Sequence, residues 1–179
     1  MKKLSIIFMA IFGLFVIHAC DEDLLDVTET FEFSGEFVVD ADDTYYTDSQ
    51  LIDLAEDVSL IDDYGNKIKE VVITKADFWI KDLAEIEGQK LESGSLFVSN
   101  PDGSGKTAII LLGEYVLADL LNTPTALNLE QTGIDKLDKL ASNPPHHFML
   151  HYEAEFNEAP IDFTLVFDFE AKMVANPLN

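Results

Sequence analysis

Strict alternation of apolar and polar residues marks both ends of the folded part of the chain. Phe31, Phe33, Gly35, Phe37 and Val39 fall on one side of a period of two, and Glu32, Ser34 and Glu36 on the other. That period, with aromatics on one side only, predicts a half-buried β-strand, which Asp40-Ala41-Asp42-Asp43 ends. Near the other end, Phe148, Leu150, Tyr152, Ala154 and Phe156 alternate with Met149, His151, Glu153 and Glu155. After Asn157 to Pro160, the residues Phe163, Leu165, Phe167 and Phe169 alternate with Thr164, Val166, Asp168 and Glu170. Two long alternating runs around a short loop predict an antiparallel hairpin whose aromatic face is the centre of the core.

Between these ends the pattern is mixed. Leu51, Leu54, Ala55 and Val58 at helical spacing predict a short amphipathic helix over 48–58, with Asp48 or Ser49 as N-cap. Asp62-Asp63-Tyr64-Gly65-Asn66 reads as a turn, and 68–81, rich in Val, Ile, Phe and Trp, as a second long strand. Alternation puts Val72, Thr74, Ala76, Phe78 and Ile80 on one face of it, and Val71, Ile73, Lys75, Asp77 and Trp79 on the other. A short strand over 95–99, a turn over 100–106 and an apolar strand over 107–112 predict a second hairpin. Residues 115–121 fit a strand or a helical turn equally. Ile134, Leu137 and Leu140 predict another short helix, capped by Thr132 and stopped by Asn143-Pro144-Pro145. The sum is a mainly β chain: an antiparallel β-sandwich of six or seven strands, with two short helices in the connections and no βαβ rhythm.

Charge narrows the range of partners. The chain has 34 Asp and Glu against 11 Lys, no Arg, and a formal net charge of −23. Nucleic-acid binding needs a positive footprint that releases counterions, so the composition excludes it. Anionic membrane surfaces are repelled for the same reason. Cation binding, or a cationic partner, suits such a surface; so does plain solubility. A single cysteine, Cys20, leaves no disulfide to form within the chain.

The first residues carry a different message. Lys2 and Lys3 precede an apolar run from Leu4 to Ile17, broken only by Ser5 and Gly13, and then come His18, Ala19 and Cys20. The run is shorter than the roughly 20 apolar residues a membrane-spanning helix needs, and it meets Asp21-Glu22-Asp23 at once. Charged start, apolar middle and small residue before the cleavage point are the parts of a secretory signal. The end of it resembles the lipobox of bacterial lipoproteins: Ile17 and Ala19 fit, and His18 stands where a small residue is usual. The resemblance implies cleavage after residue 19, and a diacylglycerol and an acylated amine on Cys20. Two or more acyl chains hold a protein stably on a membrane. Asp21 to Asp23 are similar to the acidic export signal of surface lipoproteins of Bacteroidota, which implies outward display; a solvated linker accounts for the same residues. The chain thus divides into a signal (1–19), an acidic tether (20–28) and one domain (29–179). Through its strand pattern and closing Val174-Ala175-Asn176-Pro177-Leu178, the domain resembles small β-sandwich lipoproteins of Bacteroidota. That resemblance implies an outer-membrane location and no particular activity.

Most candidate chemistry fails on spacing. Gly103-Ser104-Gly105-Lys106-Thr107 lacks the first glycine of a phosphate loop, since Asn100 stands there, and a strand follows where a helix is required. A calcium loop starting at Asp40 would want Gly at Tyr45 and Glu at Leu51; an irregular calcium site from strand-end carboxylates stays open. On a strand, His147 and His151 share a face roughly 13 Å apart, at about 3.3 Å per residue. One zinc ion bound at about 2 Å by each ligand cannot span that, so the histidines, His146 included, read as solvent-facing. No Gly-x-Ser-x-Gly elbow occurs. Flat aromatics beside carboxylates suit a glycan surface, and Trp79, Tyr45, Tyr46 and Tyr64 are the candidates. No catalytic, metal or cofactor residue is assigned. The expectation is a non-enzymatic binding or interaction lipoprotein, tied to the membrane through lipid on Cys20, with an envelope protein or a glycan as partner. A carrier holding an apolar ligand between the sheets, and a glycan-related hydrolase, are the alternatives.

Overall fold

The computed structural model describes residues 26–84, 88–176 and 178. The signal, Cys20 and the first part of the tether lie outside the described residues. Two antiparallel sheets face each other. The first has the order β1 (Val27–Ala41), β9 (Ile161–Ala175), β3 (Ile68–Lys81) and β7 (Thr125–Ala126). The second has the order β2 (Tyr45–Asp53), β8 (His147–Phe156), β4 (Lys90–Ser99) and β5 (Thr107–Leu112), with β6 (Tyr115–Val116) paired to β4. This is the β-sandwich expected, with nine strands among the described residues instead of six or seven, since β2 and the two-residue strands are added, and with β1 starting at Val27, inside the expected tether.

The core is aromatic and comes from the alternating faces. Phe33 and Phe37 on β1 and Phe163, Phe167 and Phe169 on β9 meet Phe148, Tyr152 and Phe156 on β8. Across the interface Tyr152 lies 5.7 Å from Phe167, Phe156 lies 5.8 Å from Phe163, and Phe33 lies 5.9 Å from Phe148, ring centre to ring centre. Edge-to-face and tilted contacts at this spacing are the favourable arrangements of aromatic pairs.

The expected hairpin over 148–169 is not formed. β8 pairs with β2 and β4, whereas β9 pairs with β1 and β3. Alternation tells which face of a strand is buried, but not whether the next strand lies beside it or opposite it. With two aromatic faces to bury, the chain crosses from one sheet to the other, and the faces oppose each other. Gln89, buried under the crossing, donates from Nε2 to the Glu158 and Pro160 carbonyls at 3.3 and 2.8 Å. The β4–β5 hairpin does form.

The helix expected over 48–58 is replaced by β2, all nine residues of which register with β8. Leu51, part of the helical stripe, is half exposed. Helix begins only at α1 (Leu54–Asp57), capped by Asp53, whose Oδ1 accepts from the Ala55 and Glu56 amides at 3.1 Å each. The expected turn at 62–66 lies in α2 (Ser59–Tyr64) and a 3₁₀ turn. On β3 the faces change over midway: Val71 and Ile73 are buried, then Ala76, Phe78 and Ile80. A bulge between Ile73 and Lys75 inserts Thr74 and shifts the phase by one. Residues 115–121 divide into β6 and the short α3 (Leu117–Leu120).

The last helix, α4 (Gln131–Ser142), closes the side of the sandwich where β3 and β5 would leave open edges. Its N-cap is Glu130, not Thr132, and no side chain caps it. Asp138 Oδ1 accepts the Ile73 amide at 2.9 Å and Ser142 Oγ accepts the Val71 amide at 2.7 Å, so two edge N–H groups of β3 are satisfied by side chains. The segment leading into α4 continues the closure, with Leu127 N–H on the Ala76 carbonyl and Glu130 N–H on the Ile109 carbonyl, both at 2.9 Å. On the opposite side, β2 closes part of β1 in the same way, with Gln50 Oε1 accepting from Glu36 N–H at 2.9 Å and Tyr46 donating to the Val38 carbonyl at 2.8 Å. No helix among the described residues is long and apolar enough to cross a membrane.

Candidate functional site

The four aromatic candidates do not gather. Trp79 points outward from β3 beside Val166, half-buried, with Nε1 donating to Asp168 Oδ2 at 2.7 Å. Tyr45 is exposed on the outer side of β2, over a shallow depression shared with Glu153 and Glu155. Tyr46 is tied by its hydroxyl to Val38 and Asp48 and packs 6.2 Å from Tyr152. Its phenol is pushed up to about 12 by burial, with the Asp48 charge adding to the rise. Tyr64 ends α2 and packs against the core. They lie on two sheets and a helix, so a shared aromatic platform is not formed.

The histidines are not free on the solvent face. His146 is buried, at φ +63°, with Nδ1 at 2.7 Å from the Ala141 carbonyl. His147 Nε2 lies 2.8 Å from Asp53 Oδ2. His151 Nε2 lies 2.7 Å from Ser99 Oγ, a nucleophile-and-base pairing that the sequence does not announce. Ser99 is wholly buried and its hydroxyl donates to the Asn100 carbonyl at 2.9 Å. With the oxygen wholly buried, no substrate atom can reach it, and the pair anchors the start of the β4–β5 turn. Burial, and then the nearby Lys106 charge, hold His151 below the usual imidazole range, with Glu153 opposing them.

Two further concave surfaces among the described residues gather charged side chains. One is an acidic trough of about 250 Å³ on the outer face of the first sheet, where cross-strand register brings together Glu32, Glu170, Asp77 and Asp168. Its acids are largely engaged. Asp168 takes both Ser34 Oγ and Trp79 Nε1 at 2.7 Å, Thr74 donates to Glu170 at 3.0 Å, and Lys75 pairs with Asp77. No group of three or more His, Cys, Asp or Glu among the described residues is placed to hold a metal ion.

The other is a cleft of about 480 Å³ between the end of α4, the β4–β5 turn and the start of β8. Lys136, Lys139, Leu140 and Asn143 stand at i, i+3, i+4 and i+7, so one face of α4 supplies one wall. Pro144 and Pro145 continue it, Asn100 and Pro101 form the opposite rim, and His147 contributes from the start of β8. The buried face of the helix, Ile134, Leu137 and Ala141, points the other way. Apolar walls with a few polar groups, in this size range, are the usual make-up of small-ligand sites. Sequence reasoning missed these residues: Asn143-Pro144-Pro145 reads there only as a helix stop, and Lys136 and Lys139 only as polar positions between the apolar ones of the helix. The helical period sends Asp138 to the Ile73 amide and both lysines to the cleft.

No family model matches the chain, and no curated protein matches it. Among solved structures, a chain of Desmodium yellow mottle tymovirus is similar over 83% of this chain and 89% of its own, at 11% identity and a TM-score of 0.36. That overlap is too slight to carry an argument about this protein.

Proposed function

We propose that this chain is a non-enzymatic binding module of a bacterial outer membrane, anchored through lipid on Cys20, displayed outward, and binding its ligand in the α4 cleft. The observation that carries the reading is the cleft itself, about 480 Å³ with apolar walls and a few polar groups. Aromatic rings already touch across the two sheets, which favours a ligand at the surface over one carried between them. The Ser99–His151 pairing is committed to the fold, which favours binding over hydrolysis. The partner is a component of the envelope or a ligand that reaches it, and a formal charge of −23 argues against nucleic acid.

Pro101 is exposed at the rim of the cleft, so Pro101→Trp fills the opening without touching the core. Compounds and oligosaccharides that raise the melting temperature of the mature chain should lose that effect on the variant. A ligand that stabilises both proteins equally would place binding elsewhere and overturn the reading.

A further inference from the structure

The lining of the α4 cleft has a charge opposite to that of the molecule, and we infer from this that the cleft takes an organic anion: a carboxylate carried on an apolar body. This rests on the cleft being the binding surface, and adds the class of ligand. The chain holds 34 acids, yet no Asp or Glu lines the cleft, whereas two of its 11 lysines and one of its four histidines do. A cationic concavity in an anionic surface concentrates small anions that the rest of the surface turns away.

The nearby acids have partners of their own, and Asp135, one helical turn before Lys139, accepts from Gln131 Nε2 at 2.7 Å. Asp53 Oδ2 lies against His147 and its Oδ1 caps α1. Asp102, in the β4–β5 turn, accepts from the Ser104 amide at 2.9 Å and hydroxyl at 2.6 Å, and faces Lys136. Lys136 donates to the Gly105 carbonyl, which fixes its position at the rim. The Lys139 ammonium makes no hydrogen bond or ion pair among the described residues.

A lysine in the last turn of a helix commonly serves the helix carbonyls. Here two of those carbonyls have other partners, with Asn143 Nδ2 on the Lys139 carbonyl and His146 Nδ1 at the Ala141 carbonyl, each at 2.7 Å. The Lys139 ammonium is thus available beside Leu140, Pro144 and Pro145. An ammonium next to apolar walls selects a ligand with a charged end and an apolar remainder.

The test uses the mature chain from residue 20 with Cys20→Ser, which prevents acylation, and two probes of similar shape and opposite charge. Phenylacetate should shift the amide resonances of Lys139, Asn143 and His147 saturably, while 2-phenylethylamine binds at least about tenfold more weakly, the size of one charge-assisted contact. Lys139→Met and Lys139→Glu should each weaken phenylacetate by about tenfold or more. Lys172→Glu changes net charge as much as Lys139→Glu from an exposed position on β9, and should leave affinity unchanged. Equal binding of both probes in the cleft would overturn the anion preference while leaving the cleft as the binding surface. Unchanged phenylacetate affinity in both Lys139 variants would also overturn it. No saturable shift with either probe would overturn it as well; the Pro101→Trp comparison would then decide separately whether the cleft binds anything.

Discussion

Asp138 shows how one residue can serve the fold at a cost. It stands half-buried on α4 and accepts the Ile73 amide at 2.9 Å. Burial lifts its carboxyl above the usual carboxylate range; the bond from Ile73 pulls the other way, and the charges of Asp135 and Glu70 add to the rise. A raised carboxyl means that the folded chain holds the proton more tightly than the unfolded chain does. Its contribution to stability is greatest below the ordinary Asp value and declines as pH rises through the raised one. At neutral pH the ionised group therefore weakens the fold relative to a neutral acceptor. Asp138→Asn keeps an oxygen for Ile73 and removes the charge. Its melting temperature should exceed that of the parent at pH 7, with the gap closing as pH falls through the carboxylate range. A difference that stays constant with pH would contradict the assignment to charge.

At the scale of elements, α4 is set against β5 by one small residue. A Cβ on Gly133 would stand 1.9 Å from the Ala108 carbonyl oxygen and 2.6 Å from its carbon, and backbone cannot step aside as a side-chain tip can. Gly133→Ala gains about 1 kcal/mol of helix propensity. It must nonetheless lift the helix off the sheet, and a net loss of about 2 kcal/mol is expected, within the usual cost of overpacking. Denaturant unfolding measures it, and an unchanged or raised midpoint would mean that the helix is not held this close. The docking also shows what the sequence could and could not disclose. Periodicity located β1, β3, β8 and β9 and, through Ile134 and Leu137, most of the buried face of α4, because burial of a face repeats locally; Leu140, counted on that face, lines the cleft instead. It misread 48–58, where Leu51, Leu54, Ala55 and Val58 mimic a helix and pairing with β8 prevails. It missed the bulge at Thr74, since one inserted residue leaves composition unchanged. It could not tell that β8 and β9 face rather than flank each other, because that choice depends on the other sheet. The cleft was hidden for a related reason: its lysines and prolines come together only when α4 is seated against the β4–β5 turn.

At the scale of the molecule, charge and anchor separate cleanly. Under the proposed anchor the signal is removed with Lys2 and Lys3, so nine lysines would face the same 34 acids, a formal charge of −25. Such a domain is repelled by anionic lipid, and basic patches add about 1 kcal/mol per residue only where lysine or arginine clusters near the bilayer. The two cleft lysines are far too few to offset the acids. Under the proposed anchor, then, membrane retention rests on the acyl chains of Cys20 alone. Two consequences can be measured in fractionated cells. Cys20→Ala should move the protein from the membrane to the soluble fraction and abolish incorporation of labelled fatty acid. Washing membranes that carry the wild-type protein in high salt should release none of it, because salt screens charge and leaves burial of acyl chains intact. Retention of the alanine variant, or release of the wild type by salt, would show that something other than lipid holds this acidic domain in place.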